Sequence, residues 1–64
     1  MSRARTPGEK AIALLESARS RAADAIAEVR QDYETPEGRR VALKAIRDAR
    51  THLLAAESEI RSAR

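Results

Sequence analysis

Basic side chains recur along the second half of the chain at spacings that place them on one side of a helix. Residues 39–64 carry seven Arg or Lys against three acidic residues. Such a row suits a nucleic-acid backbone, because neutralising phosphates releases counterions. It also suits an acidic protein, or an ordinary solvated face with the internal pairs Glu57–Arg61 and Lys44–Asp48. The candidate row for binding a partner or nucleic acid is Arg40, Lys44, Arg47 and Arg61.

Two other arginines, Arg19 and Arg50, would lie close together if the chain folds back on itself. A pair of guanidinium groups forms a cationic notch that a phosphate or a carboxylate can fill. The alternative is that each arginine turns to a nearby acid, such as Glu16 for Arg19. Tyr33 is the one aromatic residue in the sequence, so stacking on single-stranded bases is poorly supported.

The residue types that carry out catalysis or hold metals are sparse. His52 follows Asp48 by four residues, but two potential ligands without a further His or any Cys make a poor metal site. The sequence contains no glycine-rich phosphate loop and no nucleophile elbow. We therefore expect no enzyme, no catalytic residue, no cofactor, no bound metal and no small-molecule substrate.

Two similar sequences mark the starts of two helices. They are Thr6-Pro7-Gly8-Glu9 and Thr35-Pro36-Glu37-Gly38. In each, Thr suits the N-cap and Pro suits the first helical position, and Glu9 can complete a capping box with Thr6. The expected elements are a flexible basic tail at 1–5, then one domain at 6–64 with helix 1 at about 7–33, a turn at 34–35 and helix 2 at about 36–62. The turn lacks a glycine for a left-handed C-cap, which leaves open one long helix kinked at Pro36.

Alanine recurs at every seventh residue in both helices. The series are Ala11, Ala18, Ala25 in helix 1 and Ala42, Ala49, Ala56, Ala63 in helix 2. Small residues in one column allow two helices to pack closely, and a short turn makes them antiparallel. A neighbouring column in each helix holds larger residues, which we expect in the same buried seam: Leu15, Ala22, Val29, Ile46, Leu53 and Ile60.

A second set of apolar residues remains after this seam has been assigned. Its members are Ile12, Ile26, Tyr33 and Leu43. One hairpin cannot cover both sets at once, so we expect these four to form an oligomer interface. The predicted fold is all-α: an antiparallel two-helix hairpin that dimerises into a four-helix bundle.

Composition restricts where the chain acts and in what role. None of the 64 residues belongs to an apolar stretch of roughly 18, the length that spans a bilayer, and the absence of Cys is compatible with the cytoplasm. We expect a cytoplasmic bacterial or phage-type adaptor or regulator that acts through protein–protein contacts and homo-oligomerisation. The alternative is an RNA- or DNA-binding regulator that uses the basic face of helix 2.

Overall fold

The structure, a computed structural model, describes residues 6–62 and confirms the two-helix hairpin. Helix α1 spans Pro7–Asp32 and helix α2 spans Pro36–Ser62, and the two pack against each other along their lengths. The molecule measures 47 × 25 × 13 Å. Since one helix with its side chains is about 10–12 Å across, the hairpin is a single layer with two broad faces. The tail expected at residues 1–5 and Ala63 of the heptad series lie outside the described residues.

The start of α1 is fixed by the predicted cap. The Glu9 backbone N–H donates to Thr6 Oγ1 at 3.1 Å, which satisfies one of the free donors at the helix end. The Thr6 hydroxyl in turn donates to Glu9 Oε1 at 3.2 Å. Glu9 therefore reaches back as the capping box requires, although it meets the Thr6 hydroxyl.

Helix α1 ends at Asp32, one residue earlier than expected, with Tyr33 as a right-handed C-cap at φ −57° and ψ −33°. No residue within 6–62 has a positive φ, so the chain reverses without a left-handed cap. The Asp32 carbonyl accepts from both the N–H and the hydroxyl of Thr35, each at 3.1 Å. The hydroxyl oxygen of Thr35, Oγ1, also accepts a hydrogen bond from the Gly38 N–H at 2.9 Å. One threonine side chain thus joins the end of α1 to the start of α2.

The buried seam is narrower than the heptad pattern predicted. It consists of alanines together with Gly38: Ala11, Ala18, Ala25, Ala42, Ala45, Ala49 and Ala56. The larger residues expected beside them are between 43% and 58% exposed: Leu15, Val29, Ile46, Leu53 and Ile60. Methyl-sized side chains let the backbones approach closely, and the larger side chains then project beside the line of contact. Ala22, also expected in the seam, is exposed.

Gly38 is the point of closest approach near the turn. A Cβ atom built there would overlap the carbonyl oxygen and the Cβ of Asp32. From the sequence, Gly38 reads only as a weak point in the first turn of helix 2. In the structure it is a buried contact residue, because only hydrogen fits against the last residue of α1.

We predict that Gly38→Ala and Gly8→Ala change stability in opposite directions. Alanine favours a helix by up to about 1 kcal/mol over glycine, and at Gly8 a Cβ meets only Thr6 Oγ1 at an ordinary 3.8 Å. At Gly38 the overlap with backbone atoms is expected to cost about 1–3 kcal/mol. Urea unfolding followed by circular dichroism, at one protein concentration, measures both. Equal stability of the two variants would contradict the close approach.

A second prediction concerns the hydroxyl of Thr35. Thr35→Val keeps the shape of the side chain but removes its bonds to Gly38 and Asp32, so the free energy of unfolding should fall by about 1–2 kcal/mol. Thr35→Ser keeps the hydroxyl and should retain most of that stability. The same unfolding measurement separates them, and indistinguishable Val and Ser variants would show that the hydroxyl does not hold the turn.

Candidate interaction surfaces

One broad face of the hairpin carries nearly all the large apolar side chains. Ile26, Val29, Ile46 and Leu53 line the groove between the helices on this side, and Tyr33 and Leu43 extend it towards the turn. Other large apolar residues lie seven or eleven residues, or a multiple of these, from the groove residues along the same helix, which places them on the same side. We call this the apolar face: Ile12, Leu15, Ile26, Val29, Tyr33, Leu43, Ile46, Leu53, Leu54 and Ile60.

The four residues predicted for an oligomer interface all lie on the apolar face and are exposed. Ile12 is 58% exposed and Ile26 54%, and Tyr33 and Leu43 are 58% and 59% exposed. The sequence interpretation divided the large apolar residues between a buried seam and a separate edge. The structure instead joins them in one surface, which is unusually extensive for a chain that stays alone in water.

The opposite broad face is polar and contains most of the carboxylates. Its central groove is lined by side chains of both signs, including Arg21, Asp24, Glu28, Lys44 and Asp48. Its two ends add further charged groups and His52. We call this the polar face: Lys10, Arg21, Asp24, Glu28, Asp32, Glu37, Val41, Lys44, Asp48, His52 and Glu59. Val41 is the one exposed large apolar residue that lines it.

Arginines border the grooves of the apolar face, whereas carboxylates do not line them. Arg30 and Arg50 line the central groove of that face, and Arg39 lines the part near the turn. The sequence interpretation left out Arg30 and Arg39, although a signal for them exists. Arg39, Arg50 and Arg61 recur every eleven residues, as do Arg19 and Arg30. Eleven residues make about three helical turns, so each series stays on one side of its helix.

The basic row predicted on helix 2 is exposed along its whole length: Arg40, Lys44, Arg47 and Arg61. Arg61 Nη2 lies 3.1 Å from Glu57 Oε2, which confirms the predicted pair. Lys44 and Asp48 line the same groove, but they do not form an ion pair. Within residues 6–62, the other ion pair joins Arg21 and Asp24 at 3.8 Å.

The notch expected from Arg19 and Arg50 stays a prediction. Both side chains are exposed, and Arg50 lines the central groove of the apolar face together with Arg30. Neither Arg19 nor Arg50 pairs with a carboxylate anywhere in residues 6–62, so Arg19 does not turn to Glu16.

The features considered for metal binding have a simpler structural role. His52 Nδ1 lies 2.7 Å from the Asp48 carbonyl oxygen one turn earlier, so that ring nitrogen is engaged by its own helix. In the described part of the chain, no group of three or more His, Cys, Asp or Glu is placed to hold a metal ion.

Within residues 6–62, neither helix has the length of apolar sequence that crossing a membrane requires. The chain matches no protein-family model, no curated protein and no solved structure.

Proposed function

We propose that the protein is a non-enzymatic interaction module, an adaptor or regulator, that assembles with a second copy through the apolar face. Two hairpins stacked on this face would form a four-helix bundle with the polar faces outward. The observation that carries the proposal is the exposure of the large apolar side chains. Eleven of them are at least 43% exposed, and all except Val41 belong to the apolar face.

The accessible surface of the chain supports a second copy as the occupant. The chain exposes 5514 Å², whereas a compact monomer of 7.1 kDa exposes roughly 4,100 Å². This excess reflects the single-layer shape, and a standard interface would remove roughly 800 Å² of accessible surface from each partner. A second single-layer hairpin has the matching length and a face of the same chemistry, so it can cover the excess along the whole molecule.

The energies of the competing effects favour this assembly. Burying the exposed halves of the ten side chains from each of two copies contributes roughly 15–30 kcal/mol. Association costs roughly 4–15 kcal/mol in lost freedom of motion. Arginines at the border of the face repel one another, but pairs of exposed charges are worth only about 0–1 kcal/mol each. Apolar burial therefore dominates the free energy of association.

The shape of the hairpin supports a role in binding other macromolecules. A layer 13 Å thick is one helix deep, so residues 6–62 provide no second layer around a small ligand. Ligand pockets usually bury most of the ligand. The hairpin instead exposes long surfaces. The apolar face suits a second copy, and the polar face with the helix edges suits another protein.

We predict that Ile46→Glu abolishes the dimer and that Val41→Glu leaves it intact. The two residues lie on the same helix and are 44% and 51% exposed, but only Ile46 belongs to the apolar face. A carboxylate at Ile46 would be buried without a partner in the assembly, which costs several kcal/mol. Light scattering coupled to size-exclusion chromatography measures the mass of each variant.

The proposal is supported if Ile46→Glu loses the dimer while Val41→Glu keeps both the dimer and the helix content. That conclusion holds whether Ile46→Glu keeps or loses its helix content. Circular dichroism on the same samples reports the helix content. A wild-type protein that is a monomer at high micromolar concentration would overturn the proposal, as would equal effects of the two substitutions.

The proposal also predicts that the melting temperature of the wild-type protein rises with protein concentration. Anything that binds only the folded chain stabilises it by mass action, and here that ligand is a second folded chain. Thermal unfolding at concentrations that differ a hundredfold should show the shift, and Ile46→Glu, if it remains folded, should not show it. A concentration-independent melting temperature over this range would mean that folding does not depend on assembly.

A further inference from the structure

We infer that the outer edge of α2 binds the phosphate backbone of a duplex nucleic acid. The edge is formed by cations at spacings of four, three and three residues, which keep them on one side of the helix. We call it the basic edge: Arg40, Lys44, Arg47 and Arg50. All four are exposed. The row read from the sequence included Arg61 instead of Arg50, but Arg61 is already bonded to Glu57.

Few carboxylates interrupt this stretch of α2. Asp48 is the one acidic residue between residues 38 and 56, and it lines the central groove of the polar face. Glu37 and Glu59, on either side of that stretch, also line the polar face. Cations therefore outnumber carboxylates along this edge, although Lys44 lines the same groove as Asp48 and Glu57, seven residues after Arg50, lies on that arginine's side of the helix.

The side chains of the basic edge are not engaged in ion pairs. Within residues 6–62 the two ion pairs are Arg21–Asp24 and Arg61–Glu57, and neither involves the edge. A guanidinium group presents several donors in a plane and can bind a phosphate through two of them. Three of the four cations are arginines, so the edge is well suited to phosphate oxygens.

The chemistry of the basic edge favours a duplex over a single strand. Single strands stack their bases on aromatic rings, whereas a duplex can be held through its phosphates alone. The cations of the edge are not interleaved with aromatic residues, and the single aromatic, Tyr33, belongs to the apolar face. Thr51, at the end of the edge, donates its hydroxyl to the Arg47 carbonyl at 3.1 Å.

The length of the edge suits several phosphate contacts at once. Residues 40–50 span about 15 Å of helix. A duplex carries one charge per roughly 1.7 Å of its axis, so about nine phosphates lie alongside that length. Arg50 also lines the central groove of the apolar face, but Arg40 and Arg47 lie outside the grooves of that face. Phosphate binding through Arg40 and Arg47 can therefore fail while the proposed dimer holds, and the dimer can fail while phosphate binding holds.

Fluorescence anisotropy with labelled RNA and DNA duplexes of the same sequence, about 20 base pairs long, tests the inference. With about four phosphate contacts, the slope of log affinity against log salt should lie between about −3 and −4. The affinity should then fall by roughly a hundredfold between about 50 and 200 mM salt. Binding of either duplex or of both with this slope supports the inference, and the two arms identify the kind of duplex.

The decisive comparison is between two double variants that remove the same charge. Arg40→Ala with Arg47→Ala should lower the affinity at least tenfold and make the slope shallower by about two. Lys10→Ala with Arg21→Ala removes two cations from the polar face and should change the affinity by no more than about threefold, a loss that general electrostatics alone allows. Circular dichroism and light scattering check that both variants keep the fold and mass of the wild-type protein. Equal losses in the two variants, or no binding at low salt, would overturn the inference.

Discussion

The distance between α1 and α2 is set by side chains no larger than a methyl group, and the other features of the molecule depend on that constraint. The contact line consists of alanines and Gly38, and at Gly38 a Cβ would overlap backbone atoms of Asp32. Helices in such close contact leave no room between them for Leu or Ile. The larger side chains must therefore lie beside the line, where one neighbouring helix covers them only in part.

Local chemistry at the helix ends could be predicted from the sequence because each cap involves only a few neighbouring residues. Thr6 and Glu9 form the expected cap, and α2 begins at Pro36 as expected. The turn could not be predicted in the same detail. Its cap is the Thr35 hydroxyl, which bonds both helices, and glycine-based rules for helix ends do not include this solution. Gly38 was interpreted as a helix weakness because local propensity says nothing about a neighbouring helix.

The predicted division of the apolar residues failed for a related reason. A heptad pattern shows that Ala25 and Val29 face roughly the same way, but it does not show how close the second helix comes. With a wider spacing, Val29 and Ile46 would fill the seam. At the observed spacing they are 44% exposed and join Ile26 on the apolar face. The interface residues named from the sequence were thus part of a larger surface whose extent depends on one distance.

The close antiparallel packing of the helices also separates the charges. As a result, dimerisation through the apolar face and phosphate binding at the basic edge should respond differently to salt. Antiparallel packing brings Asp24 and Glu28 of α1 into the groove of Asp48 and leaves arginines beside the apolar face. Salt screens the repulsion between such arginines when two copies meet, and apolar burial does not weaken as salt rises, so assembly should be unchanged or tighter at high salt. Phosphate contacts at the basic edge lose affinity over the same range, because each counterion released into a more concentrated salt solution gains less entropy. A four-helix bundle closed on its apolar faces would therefore persist under conditions that free it of nucleic acid.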